Sequence, residues 1–179
     1  DSIEFVRHHH REVVYDAEHF FDGYKNNRDY ALETVKAAAL GGASFIVLCD
    51  TNGGMLTHEI APAVEEVRKS LDGLSIPKSG RIPIGIHTHN DSGLAVANSI
   101  AGVRSGAVMI QGTINGYGER CGNADLTTII PILCLKMKCP CIPMENLSKL
   151  KKLSGYVSET ANMIPLNSRP FVGESAFAH

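Results

Sequence analysis

Apolar runs alternate with amphipathic stretches along this chain. Residues 45–49 (Phe-Ile-Val-Leu-Cys) are apolar at every position, as in a parallel strand covered on both faces. Similar runs at 13–15, 82–87 and 107–112 predict three more strands. Between them the period changes to that of a helix. Residues 29–40 read as a helix that stops at Gly41-Gly42. A second helix, 57–71, has Thr57 as its expected N-cap and an apolar stripe of Ile60, Val64, Val67 and Leu71. A third spans about 93–105 and ends near Gly106. A fourth, about 124–137, should bury Leu126, Ile129, Ile130, Leu133 and Met137. A fifth, about 146–157, carries leucines at 147, 150 and 153, and the tail from Pro165 has no period. His8-His9-His10 reads as a helix end, where imidazoles can meet the last carbonyls.

The order β-α-β-α-β-α-β-α requires right-handed crossovers and a parallel sheet. Polar clusters follow the strands: Asp16 to His19, Asp50 to Asn52, His87 to Asp91, and Thr113 to Asn123. Parallel α/β folds build their sites on that face. Four such units make half of a (β/α)8 barrel, whose usual length is about 250 residues; the alternative is an open doubly wound sheet. The chain reads as a piece of something longer.

Composition narrows the function. The 179 residues are 44% hydrophobic and 20% charged, ordinary for a globular domain with one core. A formal charge of -2 offers no electrostatic footprint for nucleic acid. No apolar run approaches the roughly 20 residues that span a bilayer, and the start has no basic, apolar leader pattern. Five cysteines, an odd number at spacings unlike a metal or redox motif, read as reduced thiols of a cytoplasmic protein.

The strongest chemical signal is His87-Thr88-His89-Asn90-Asp91. Histidines at i and i+2 of an extended backbone share a face, and paired imidazoles suit a divalent metal. A carboxylate must complete the shell, with Glu18, Asp50 and Asp91 as candidates. In Asp50-Thr51-Asn52-Gly53-Gly54 the threonine can donate to a carboxylate and the glycines can open backbone amides to an anion, yet a plain strand-to-helix turn explains the residues equally well. In the loop Gly116 to Asn123, Glu119-Arg120 inside a glycine frame is unlike a solvated linker, and Asn123 could reach the metal or its water. Cys121 reads as a loop filler before a nucleophile. Phe20 and Phe21 read as packing residues, and Lys25 as a solvated lysine before an anion site.

Four segments, Asp16 to Lys25, Cys49 to Gly54, His87 to Asp91 and Gly116 to Asn123, together resemble the family of 2-isopropylmalate, homocitrate and citramalate synthases, the citramalate branch most. The resemblance runs the whole length of the chain. It implies a metal-dependent TIM barrel, with residues 1–140 its second half and 141–179 the start of a linker subdomain. It implies His87 and His89 as metal ligands with Asn123 at or beside the ion, Thr51 holding the 2-oxo acid carboxylate, Glu18 lining and orienting the substrate, and Glu119 and Arg120 shaping the loop around acetyl-CoA and substrate. The ion would be Mg, Mn or Zn; histidine with carboxylate suits Zn and Mn better than Mg.

The expected reaction is a Claisen condensation of acetyl-CoA with a 2-oxo acid, pyruvate first, in branched-chain amino-acid biosynthesis by a homodimer. The family's first strand carries an Arg-Asp pair, and none of the strands read here carries one (Arg28-Asp29 falls at the start of a helix); its catalytic histidine falls just past the end, so His179 is not assigned that role. The chain alone is therefore expected to be inactive. Rival readings are a 2-isopropylmalate or homocitrate synthase, a carbon–carbon lyase like HMG-CoA lyase, and a non-catalytic half-barrel that pairs with itself through its open sheet edges.

Overall fold

The structure, a computed structural model, describes residues 1–74 and 81–177. The chain divides into two compact units, Asp1–Gln111 and Gly112–His179.

In the first unit a short helix, α1 (Ser2–His8), precedes four parallel strands: β1 (Val14–Ala17), β2 (Phe45–Asp50), β3 (Ile84–Thr88) and β4 (Met109–Gln111). The helices between them are α2 (Phe20–Asn26) and α3 (Arg28–Leu40), α4 (Thr57–Asp72), and α5 (Ala95–Arg104). The sheet order is β1-β2-β3-β4. Each strand lies beside its successor, as in a (β/α)8 barrel, whereas a doubly wound sheet would reverse direction at a switch point. The four units are a partial (β/α)8 barrel, and the open-sheet alternative falls.

Register separates the sheet's two faces. Ile46 pairs with Ile84, Leu48 with Ile86, Cys49 with His87, and His87 with Gln111. Ile46, Leu48, Ile84 and Ile86 are fully buried and pack against Phe21, Val35, Ile60, Val64 and Val67. These are the helix-covered positions. The alternate positions, Asp16, Val47, Cys49, Gly85, His87 and Gln111, fall on the other face, by the strand's period of two.

Several elements follow from local chemistry. Asn27 caps α3 by accepting from the Tyr30 N–H at 3.2 Å, and His9 Nδ1 reaches the Phe5 carbonyl at 2.9 Å at the end of α1. Phe20 and Phe21 are core residues. Lys25 pairs with Glu59 at 2.8 Å. The four stripe residues of α4 are all buried.

One cap differs from expectation. Leu56, not Thr57, occupies the N-cap of α4. The Glu59 carboxylate reaches back to the Leu56 N–H at 2.8 Å, which frees the Thr57 hydroxyl to donate to Asn98 Oδ1 at 2.8 Å.

In the second unit a 3-10 turn (Ile114–Gly116) leads to α6 (Leu126–Pro131), which continues as a π turn over Ile132–Lys136. The expected single helix over 124–137 is thus broken in pitch. Pro131 lacks an N–H and its ring crowds the preceding turn, and one wider turn absorbs the mismatch. Ile129 and Leu133 are buried, while Leu126, Ile130 and Met137 are only half-buried.

A 3-10 segment, Met144–Lys149, then precedes α7 (Leu150–Thr160). The buried stripe of α7 is Leu150, Ser154 and Ser158, four apart, and Leu153 is exposed. The expected 147-150-153 stripe fails because the first turn is 3-10 and because the serines are drawn inward by a buried asparagine. Asn115 Nδ2 donates to the Ser154 carbonyl at 2.9 Å and to Ser158 Oγ at 3.0 Å, and Ser154 Oγ donates to Asn115 Oδ1 at 2.6 Å.

Candidate active site

The C-terminal ends of β1, β2 and β3 surround a cavity of about 230 Å³ lined by Asp16, Glu18, Cys49, Thr51, His87 and His89. Four of the residues singled out in the sequence, Glu18, Thr51, His87 and His89, therefore converge. Asp16 on β1 and Glu18, in the turn that follows it, line the same cavity.

The two imidazoles are turned toward each other. His87 Nε2 lies 3.4 Å from His89 Nε2, with ring centroids 5.2 Å apart. Nitrogens bound to one ion at about 2.0–2.1 Å stand roughly 3.0–3.4 Å apart, so the pair has the bite of two ligands on one cation. With Asp16 and Glu18 on the same wall, the cavity favours a positive occupant.

His87 Nδ1 and Gln111 Oε1 are 2.8 Å apart, and Gln111 Nε2 donates to Asp16 Oδ1 at 2.9 Å. Thr51 Oγ1 accepts from the His19 N–H at 2.7 Å. This bond ties the end of β2 to the start of α2, where His19 sits in the left-handed region at φ 56°. Asn52 Nδ2 adds a second tie to Asp22 at 2.9 Å.

Cys49 lines the same cavity. Burial first, and then the carboxylates of Asp16 and Glu18, push its thiol up to about 12. It is a neutral, weakly polar wall at ordinary pH, and no nucleophile.

Two of the expected metal carboxylates are placed elsewhere. Asp50 is 1% exposed and accepts the N–H groups of Gly54 at 3.1 Å and Met55 at 3.2 Å. It builds the strand-to-helix turn, and burial pushes its carboxyl above the ordinary value while those amides pull it back. Asp91 is exposed and backs onto Gly53. A Cβ at Gly53, which sits at φ +60°, would come within 2.8 Å of the Asp91 nitrogen. Among the described residues no three His, Cys, Asp or Glu side chains form a group that could hold an ion, and neither Asp50 nor Asp91 lines the histidine cavity.

Glu119, Arg120 and Asn123 belong to the second unit. The loop that carries them is a closed frame: Asn123 N–H donates to the Gly116 carbonyl at 2.9 Å, Gly122 N–H to the Glu119 carbonyl at 2.8 Å, and Asn123 Nδ2 to the Tyr117 carbonyl at 3.3 Å. A Cβ at Gly118 would lie 2.0 Å from Asn123 Nδ2, so any larger residue there would displace the Asn123 amide. Glu119 is exposed, and its carboxylate lies 3.9 Å from Arg120, itself at φ 55°. Cys121 is exposed on the same loop.

Asp16, Cys49 and Gln111 were not singled out as site residues from the sequence. Asp16 had a signal, the i, i+2 spacing to Glu18. Gln111 had a weaker one, an amide ending an apolar run.

The HMGL-like family model matches residues 1–157. An (R)-citramalate synthase of Geobacter sulfurreducens is 54% identical over 179 residues, covering 100% of this chain and 32% of that protein. A 2-isopropylmalate synthase of Methanocaldococcus jannaschii is 36% identical over 180 residues, with 100% and 32% covered. The chain thus spans about a third of the length of the curated relatives it matches. Among solved structures, the N-terminal domain of a putative aldolase from Bacteroides vulgatus superposes with a TM-score of 0.68 at 20% identity, covering 90% of this chain and 50% of that one. That likeness concerns the fold.

Proposed function

This chain belongs to the HMGL-like family, and we propose that the whole protein condenses acetyl-CoA with a 2-oxo acid, pyruvate in first place. The methyl carbon of the thioester loses a proton and bonds to the ketone carbon. The ketone oxygen becomes a hydroxyl, and water cleaves the thioester to release CoA. The observation that carries this reading is the Nε2–Nε2 approach of His87 and His89 in a cavity shared with Glu18 and Thr51. The preference for pyruvate rests on the identity to citramalate synthases, 54% against 36% for a 2-isopropylmalate synthase.

His87 and His89 would hold a divalent ion, together with Asn123 from the glycine loop. When bound, such an ion supplies Lewis acidity toward the ketone oxygen. Thr51 is proposed to bind the 2-oxo acid carboxylate through its hydroxyl. Glu18 lines the same wall and orients the substrate. Glu119 and Arg120 shape the loop over acetyl-CoA and substrate. Cys49, a neutral thiol, closes the floor without reacting. Residues 1–140 are assigned to the barrel and 141–179 to the start of a linker subdomain. The whole protein is proposed to be a cytoplasmic homodimer. Among the described residues no helix is long and apolar enough to cross a membrane. His179 lies outside the described residues and receives no role.

The test is CoA release by the full-length protein, followed with a thiol reagent. Metal-dependent release with pyruvate and acetyl-CoA is the expected result. No release with pyruvate, 2-oxoisovalerate or 2-oxoglutarate would overturn the proposal, and cleavage of a 3-hydroxyacyl-CoA in its place would assign a lyase.

A further inference from the structure

We propose that Gln111 and Asp16 are positioning residues that hold His87 in the tautomer a metal ion requires, through a carboxylate–amide–imidazole relay running across the sheet from β1 to β4. The inference rests on the metal-binding reading of the histidine pair and adds to it two residues that do not touch the ion.

The direction of each hydrogen bond follows from what its partners can do. A carboxylate only accepts, so the group that Gln111 turns toward Asp16 Oδ1, at 2.9 Å, is its amide NH2. The other end of the same planar amide must then be the carbonyl, and this is the atom 2.8 Å from His87 Nδ1. A carbonyl also only accepts. His87 must therefore carry its proton on Nδ1, which leaves the lone pair on Nε2. That nitrogen is the one aimed at His89 Nε2, 3.4 Å away. Two Nε2–H groups could not face each other at that distance, so at least one ring must present a lone pair there, and the relay determines that His87 is such a ring.

The sequence positions make the device a property of the fold. His87 and Gln111 are register partners on β3 and β4, so the amide stands beside the imidazole by strand pairing. Asp16 is 95 residues away on β1, on the same face. Its carboxylate prevents the amide from turning over, because the reversed amide would set carbonyl against carboxylate and NH2 against an imidazole N–H. Partners of this kind fix ring orientation and raise ligand basicity, and their loss typically costs about 10- to 100-fold in metal affinity.

The experiment uses the full-length protein and two readouts. Long-range 15N–1H correlation spectra of the histidine side chains, taken without metal and assigned with His87→Gln, report the tautomer. Manganese titration reports affinity. The expected wild-type result is His87 protonated on Nδ1. Gln111→Leu should release this preference and weaken manganese binding about 10- to 100-fold. The exchanged pair, Asp16→Asn with Gln111→Glu, reverses the bond between 16 and 111, placing the donor at 16, keeps an acceptor toward His87, and should restore the Nδ1–H tautomer and most of the affinity. A purely structural role for either residue would not be rescued by the exchange.

A wild-type His87 protonated on Nε2 overturns the relay without any variant. So does a Gln111→Leu protein that keeps the tautomer and the affinity. Absence of manganese binding with the Nδ1–H tautomer intact would instead overturn the metal reading and leave the relay standing.

Discussion

The Asp125 carboxylate and the Arg169 guanidinium meet at 2.9 Å with 15% and 10% of their side chains exposed. Asp125 Oδ1 also caps α6 by accepting from the Thr127 N–H at 2.9 Å. Arg169 donates in addition to the carbonyl of Asn115 and lies 5.7 Å above the Tyr117 ring. One arginine from the C-terminal segment thus locks the start of the glycine loop to the cap of α6. Removing one partner of a buried pair strands the other, at a cost of about 3–5 kcal/mol. Arg169→Ala should lose stability on that scale in urea unfolding. Arg169→Met combined with Asp125→Asn should lose less than the single change, since no charge is left unpaired.

Asp50 provides a contrast between a structural and a ligand carboxylate. Its two oxygens take the Gly54 and Met55 amides in a buried turn. Asp50→Ala should strand those amides and destabilise the fold by about 1–3 kcal/mol, measured by chemical denaturation. Manganese affinity of the folded fraction should stay unchanged. A fall in affinity with stability intact would return Asp50 to the metal.

How much of this was legible in the sequence depends on the range of the interaction. The continuous apolar run of β2 and the 3.6-period stripe of α4 are local signals, and both elements appear within a residue of their expected ends. The His87–His89 pair is local as well, since strand alternation alone brings the rings together. The seven-residue α2 escaped the reading, because it opens on a left-handed His19 and borrows stability from the core contacts of Phe20 and Phe21. The N-cap of α4 was misread because a glutamate three residues on, not the threonine, reaches back to the first amide. The buried serines of α7 were illegible because Asn115, 39 residues earlier, pulls them inward. The Gln111–Asp16 bond was equally out of reach. Nothing local says that two residues 95 apart meet.

Cys49 should leave a mark on the alkaline stability curve. In an unfolded chain its thiol titrates near 9.0, and in the folded protein burial and the nearby Asp16 and Glu18 charges push it up to about 12. Below pH 9 both states hold the proton and stability is flat with respect to this group. Between pH 9 and 12 the unfolded state loses its proton first, so stability falls as pH rises. Cys49→Ala should flatten this part of the curve in denaturant titrations run across that range. At pH 8 the native thiol should also resist alkylation while the exposed Cys121 and Cys139 react. Rapid labelling of Cys49 in the folded protein would contradict its assignment as an inert wall.

The histidine pair decides between a catalyst and a plain binding module. If His87 and His89 share one cation, each ring supplies part of the same coordination shell, and neither can hold the ion alone at comparable strength. His87→Ala and His89→Ala should then each abolish stoichiometric manganese binding, and the double variant should look no worse than either single change, because the two losses are one event. CoA release should disappear in parallel. Thermal unfolding without metal should move little, since both rings line an open cavity and neither belongs to the helix-packed core. A module that works without metal would retain its properties when both imidazoles are removed, and independent, additive losses in manganese affinity would mean that the rings serve separate sites.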